Sequence, residues 1–128
     1  MPALTPQETE LQFGAYFNAA DLDSLLTLYE SDAKLVAQPG QVVAGIDQIR
    51  QALQGLLALH GRIQLTPQLT IEAGDIALVL SRWELKGTGP DGQPLELQGQ
   101  TSDVLHRHAD GHWLFAIDNP WGAAATGG

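Results

Sequence analysis

The feature that most constrains this chain is a change of period. Up to about residue 60, apolar side chains recur three and four positions apart; beyond it they alternate with polar ones or run in short stretches bounded by Gly, Pro and Asp. The first spacing lines one side of a helix, and the second lines one face of a strand. Helices first and strands afterwards predict an α+β chain rather than alternating α/β units. With 128 residues the chain has the length of one domain with a sizeable core. We therefore expect a single domain over 1–128, its core covering roughly 5–122, with 123–128 a flexible tail that has little to bury.

The first helix should start at "TPQE", where Thr5 can cap, Pro6 suits the first turn and Glu8 completes a capping box. Leu11, Phe13, Tyr16 and Phe17 mark its apolar side. Asp21 caps a second, short helix with Leu22, Leu25, Leu26 and Tyr29 inward. A strand "AKLVA" and a turn "QPGQ" come next, and then a third helix on which Ile46, Ile49, Leu53, Leu56, Leu57 and His60 form the stripe, ended by Gly61. His60 reads as a C-terminal cap favoured by the helix dipole. The sheet is supplied by "RIQLTPQLTI", "IALVLSRWELKG", "PLELQGQTSDVLHRH" and "HWLFAID", joined by turns rich in Gly and Asp and so paired antiparallel. Pro67 predicts an edge position or a bulge.

Composition narrows the function. Six basic against fifteen acidic residues give a net charge of −9, which repels phosphate backbones and argues against nucleic acid as a partner. No apolar run is long enough for a membrane span, and the N-terminal residues lack a basic region followed by an apolar core, so a cytoplasmic, membrane-free location is expected. The absence of cysteine excludes disulfides, thiolate chemistry and cysteine metal sites. There is no phosphate loop, no "GxSxG" and no dinucleotide fingerprint, and no cofactor is expected. His106, His108 and His112 could meet across the "ADG" turn, but on an outer polar face with no carboxylate at a familiar spacing; no metal site is expected.

The segments "NAADLDSLLTLYESDA", "GIDQI" and "DGHWLFAIDNPWG" together resemble the nuclear-transport-factor-2-like superfamily, which holds ketosteroid isomerases and SnoaL-like polyketide cyclases. The resemblance spans roughly Leu11 to Gly122. It implies a cone-shaped α+β barrel, in which three N-terminal helices pack on a strongly curved, mixed but mainly antiparallel sheet with a pocket at the open end. It also implies dimers formed through the outer sheet face, here the face of Gln98, Gln100, Ser102, Val104 and His106. In the steroid isomerases of the superfamily a tyrosine and a late-strand aspartic acid donate hydrogen bonds to an oxyanion, and a further aspartate moves the proton. Matched on "NAADLD", the tyrosine position falls on Phe13 and the base position on Ala37. Only the late-strand acid has a counterpart, Asp103.

Asp103 is the candidate catalytic residue. Alternation places Leu97, Gly99, Thr101, Asp103 and Leu105 on the more apolar face of their strand, where a carboxyl loses hydration and its pKa rises. The competing reading is a structural carboxylate held by a neighbour such as Trp113 or Arg82. Asp118 reads either as a turn former before Asn119 and Pro120 or as an acid on the cavity rim. Trp83 points inward while Arg82, Glu84 and Lys86 point outward; Trp83, Trp113 and Trp121 would wall a cavity, with Trp121 at its mouth. The candidate ligand-binding residues are Phe13, Tyr16, Phe17, Trp83, Thr101, Leu105, Asp118 and Trp121. Two functions follow from these residues. One is a small-molecule-binding domain with an apolar cavity, a small apolar ligand and no catalytic pair. The other is an isomerase, cyclase or hydrolase acting on a small apolar carbonyl compound, with Asp103 as acid and base.

Overall fold

In a computed structural model, which describes residues 3–126, a curved open sheet wraps three helices. Helix α1 (Pro6–Asn18) leads through α2 (Leu22–Leu26) to strand β1 (Tyr29–Gln38), and β2 (Gln41–Ala44) precedes α3 (Gly45–Leu57). Strands β3 (Arg62–Ala73), β4 (Ile76–Thr88), β5 (Pro94–Gln100), β6 (Asp103–Arg107) and β7 (Trp113–Asp118) follow, and a 3-10 helix spans Gly122–Thr126. The strand order is β2-β1-β7-β6-β4-β3, with β5 also on β4. All pairs are antiparallel except β1 with β7, which gives the mixed, mainly antiparallel sheet that the resemblance implied.

Both N-cap side chains stand as predicted, but Glu8 Oε2 accepts from Leu4 N at 3.0 Å, one residue before the cap, instead of completing the box on Thr5. Thr5 Oγ1 accepts from Glu8 N at 3.3 Å, and Asp21 Oδ1 accepts from Ser24 N at 3.1 Å. The inward side of α1 differs from the expected one. Pro6, Thr9, Glu10, Phe13, Gly14 and Phe17 are buried, whereas Leu11 is 52% exposed. This stripe follows the helical repeat from Phe13 and Phe17 and takes in an acid that apolar counting passes over. Tyr29 begins β1 instead of ending α2, because it pairs in parallel with Phe115. His60 lies beyond α3 with φ of +50°, in the left-handed region, rather than in the last helical turn. Gly61 is needed for close approach: a Cβ there would lie 2.7 Å from the Lys86 carbonyl.

Pro67 is at both an edge and a bulge, since β3 ends the sheet and its register with β4 shifts between Pro67 and Leu69. The segment read as one strand, "PLELQGQTSDVLHRH", divides at Thr101 and Ser102 into β5 and β6, both paired to the long β4. The break is held by Thr101 N donating to the Ser81 carbonyl at 2.7 Å and by Ser102 N donating to the Asn119 carbonyl at 2.9 Å. Residues 123–126 of the expected tail belong to the 3-10 helix, and the Ala125 carbonyl accepts from Gly40 N at 2.7 Å. Residues 127 and 128 of the expected tail lie outside the described residues. The core packs Phe13, Phe17, Leu25, Ile49, Val79, Leu85, Leu105, Trp113 and Phe115 between the helices and the inner sheet face. Among the described residues no helix is long and apolar enough to cross a membrane.

A buried carboxyl cluster in an apolar cavity

Helix α1 presents Glu10 one turn before Phe13. Strand β1 supplies Tyr29, Leu35 and Ala37, β4 supplies Trp83, and Asp103 and Asp118 lie on β6 and β7. All of these except Tyr29 line one cavity of about 1050 Å³. The alternation of β6 explains why Asp103 points in: Thr101, Asp103 and Leu105 are buried, while Ser102, Val104 and His106 are only partly so.

Asp103 is fully buried, with Glu10 2% and Asp118 6% exposed. Asp103 Oδ1 accepts from Asn119 N at 2.8 Å, and Asp118 Oδ2 accepts from the Tyr29 hydroxyl at 2.5 Å. Among the described residues, Glu10 Oε1 and Asp103 Oδ2 receive no donor from the protein, and the nearby Ser81 hydroxyl is also without a hydrogen-bond partner. Glu10 and Asp103 are nevertheless within hydrogen-bond reach of each other, as are Asp103 and Asp118, so a proton on one member satisfies a lone pair on the next. The result is a chain of three carboxyls, Glu10–Asp103–Asp118, with Asp103 in the middle and the Tyr29 hydroxyl bonded at the Asp118 end.

Burial sets the protonation of this chain. It pushes Glu10 up to about 7, against the opposing effect of its hydrogen bond with Asp103. Asp103 is held well above an ordinary carboxylate first by burial and then by the charge of Glu10, while the Asn119 N–H acts in the other direction. Asp118 is raised by burial and by Asp103, and the Tyr29 hydroxyl partly offsets this. Tyr29 is raised as well, by burial and by the neighbouring acids. A cluster of this kind can donate a hydrogen bond as a neutral acid and can also take up a proton near neutral pH.

Phe13, Trp83, Thr101, Asp103, Asp118 and Trp121 all line the cavity, as expected. Phe17 and Leu105 do not; they are core residues, 1% and 0% exposed. Tyr16 faces a separate hollow of about 280 Å³ beside His112 and Trp113, because it sits off the inward stripe of α1. Trp113 is therefore not a cavity wall. Trp121 donates from Nε1 to the Val36 carbonyl at 3.1 Å and meets Trp83 edge-on at 5.5 Å. Asn119 forms the turn that had been one reading of Asp118: its Oδ1 accepts from Trp121 N and its Nδ2 donates to the Gly122 carbonyl. Of the structural partners considered for Asp103, Arg82 is exposed and does not hold it, whereas a backbone N–H, that of Asn119, does donate to its Oδ1, leaving Oδ2 without a protein donor.

Glu10 and Tyr29 are members of the cluster that sequence reasoning missed. For Glu10 the signal was available, since it precedes Phe13 by three residues and Phe17 by seven, which is the spacing of one helix face. The histidines lie on the outer face, where Glu30 receives His106 Nδ1 at 2.8 Å and His108 Nε2 at 3.0 Å, and His112 contacts Asp110. Among the described residues no group of side chains is arranged to hold a metal ion.

The SnoaL-like domain model matches residues 11–115, and the chain belongs to that family, within the nuclear-transport-factor-2-like superfamily. Solved structures of the same fold include a nuclear transport factor 2-like superfamily protein from Salmonella enterica serovar Typhimurium, 17% identical with a TM-score of 0.78 over 90% of this chain and 86% of that one. A ketosteroid isomerase-like protein from Erwinia carotovora is 19% identical, with a TM-score of 0.77 over 88% of each chain. A Mycobacterium tuberculosis protein described as of unknown function is 23% identical, with a TM-score of 0.74 over 88% of this chain and 66% of that one. At these identities the likeness shows the fold. No curated relative matches the chain.

Proposed function

We propose that this domain binds a small, largely apolar carbonyl compound in its cavity and that Asp103, coupled to Glu10 and Asp118, is the acid–base group acting on it. The observation that carries this reading is the position of Asp103: fully buried in the cavity wall and within hydrogen-bond reach of a second and a third carboxyl. A lone acid would leave only a binding role. A chain of acids lets one donate to the carbonyl oxygen while another takes up a proton. Phe13, Trp83 and Trp121 supply the apolar wall. The residues at the steroid-isomerase positions, Phe13 and Ala37, also line the cavity but carry no acid–base group, which favours a second reading of ligand binding without turnover.

The test uses 1-decalone as probe. Titration should shift the indole N–H signals of Trp83 and Trp121 in NMR spectra, and Asp103→Asn should weaken binding about tenfold, the loss of one charge-assisted or strong hydrogen bond. In D2O, deuterium should enter beside the ketone faster with the wild type than with Asp103→Asn. Binding without exchange would select the non-catalytic reading. No shift at saturating ketone would contradict both.

We also propose self-association through the outer sheet face. Ile71, Leu78, Val104 and Ile117 are cross-strand neighbours in one row over β3, β4, β6 and β7, and Ile71, Leu78 and Ile117 are 50%, 37% and 42% exposed. A second copy is the fitting occupant, because two such rows bury each other without bringing charges together.

A further inference from the structure

Among the described residues, every ionisable side chain in the cavity wall is an acid: Glu10, Asp103 and Asp118 line it, and no Lys, Arg or His does. The polar groups where the wall is exposed are uncharged amides, Gln38, Gln41, Gln48 and Gln51. A carboxylate or phosphate entering this space would lose hydration and find no cation to replace it. An uncharged oxygen loses less and can accept a hydrogen bond from a protonated acid. A cation meets the opposite situation from an anion. Two buried acceptor atoms, Glu10 Oε1 and Asp103 Oδ2, receive no donor from the protein, and the aromatic faces of Trp83 and Trp121 attract positive charge.

From this wall we propose that the cavity sorts ligands by charge, excluding anions and taking a small apolar primary amine as its ammonium ion, whose N–H groups donate to Glu10 Oε1 and Asp103 Oδ2. The proton that these two carboxyls share is lost to solvent buffer as the ammonium enters: one carboxyl O–H bond ionises, one positive charge replaces another, and no other covalent bond changes. Near neutrality the exchange costs little, because burial already holds Glu10 at about 7. The groups facing the pair are Asp118 on β7, Tyr29 on β1 and the Ser81 hydroxyl on β4; none of them can carry a positive charge that would compete for the cation's place. This inference rests on the reading of the cavity as a ligand pocket: a carbonyl accepts from the shared proton, and an ammonium displaces it.

Three probes with one skeleton test it: cyclohexylmethylamine, cyclohexylmethanol and cyclohexanecarboxylate. Each is titrated calorimetrically into the wild-type protein at pH 6, in two buffers of different ionisation enthalpy. The amine should release about one proton per molecule bound, and the carboxylate should bind at least about tenfold more weakly than the alcohol. Glu10→Gln should lose the proton release. Alcohol binding accompanied by amine binding without proton release, by no amine binding, or by carboxylate binding as tight as the alcohol's overturns the charge sorting and leaves the pocket reading standing. Binding by none of the three overturns both. If Glu10→Gln does not fold, the wild-type comparison decides alone.

Discussion

The hydroxyl of Tyr29 donates to Oδ2 of Asp118 across 2.5 Å, with both side chains buried. The bond joins β1 to β7, the one parallel pair of the sheet, and anchors one end of the carboxyl chain. It also keeps Asp118 lower than burial alone would set it. Tyr29→Phe keeps the ring packed on Phe115 and removes only the donor. We expect a loss of about 1–3 kcal/mol in denaturant unfolding, the usual effect of leaving a buried acceptor unpaired. The Asp118 carboxyl should also titrate still higher in this variant. Unchanged stability and titration would mean that the bond contributes nothing.

Stability should depend on pH in an unusual direction. Glu10 is raised from 4.5 to about 7, so the folded state binds more protons than the unfolded chain between those values. Its contribution is fully present below pH 4.5 and is lost as pH rises towards and through 7, on the order of 3 kcal/mol for Glu10 alone. Asp103 and Asp118 act with the same sign. Urea unfolding at pH 5, 6, 7 and 8 should show stability falling as pH rises, with a shallower fall in Glu10→Gln. A rise from pH 5 to 8 would contradict the raised values.

Gly99 faces the indole of Trp83. A Cβ there would lie 3.0 Å from Nε1, on a ring already fixed by a 2.6 Å hydrogen bond from Nε1 to the Pro120 carbonyl. Gly99→Ala should therefore displace Trp83, cost about 1–3 kcal/mol as overpacking does, and change tryptophan fluorescence. An unchanged spectrum would show that the wall yields elsewhere.

Much of the fold was legible because its signals are local. The caps at Thr5 and Asp21, the alternation around Trp83 and the break at Pro67 each depend on residues a few positions apart. The site was only half legible. Asp103 and Asp118 stood out as acids inside strands, but Glu10 lies in the first turns of a helix, where an acid ordinarily meets solvent and the helix dipole. Only the packing of α1 against the inner face of the sheet, on β3, β4 and β7, buries it. The spacing of Tyr29 from Leu22, Leu25 and Leu26 is helical; pairing with Phe115, 86 positions along the chain, makes it strand. Tyr16 belongs to the neighbouring apolar stripe, and the stripe that turns inward is the one through Glu10, Phe13 and Phe17.

Steroid double-bond isomerisation should be undetectable above background, since Phe13 offers no hydroxyl and Ala37 no carboxylate at the positions that the family resemblance marks for those groups. Robust conversion of a β,γ-unsaturated steroid ketone would show that the acid chain substitutes for both.

The outer row predicts a dimer in sedimentation at micromolar concentration. Leu78→Lys, which puts a charge in the middle of that row, should shift the protein to monomer without unfolding it. A monomeric wild type would remove the proposed interface.

Whether the cavity holds protonated carboxyls near neutral pH is read most directly by a carbon-13 NMR titration of the side-chain carboxyls. Glu10 should titrate near 7, and Asp103 and Asp118 should remain protonated well above the ordinary aspartate range. Three carboxyls that ionise together near pH 4, like exposed ones, would contradict this.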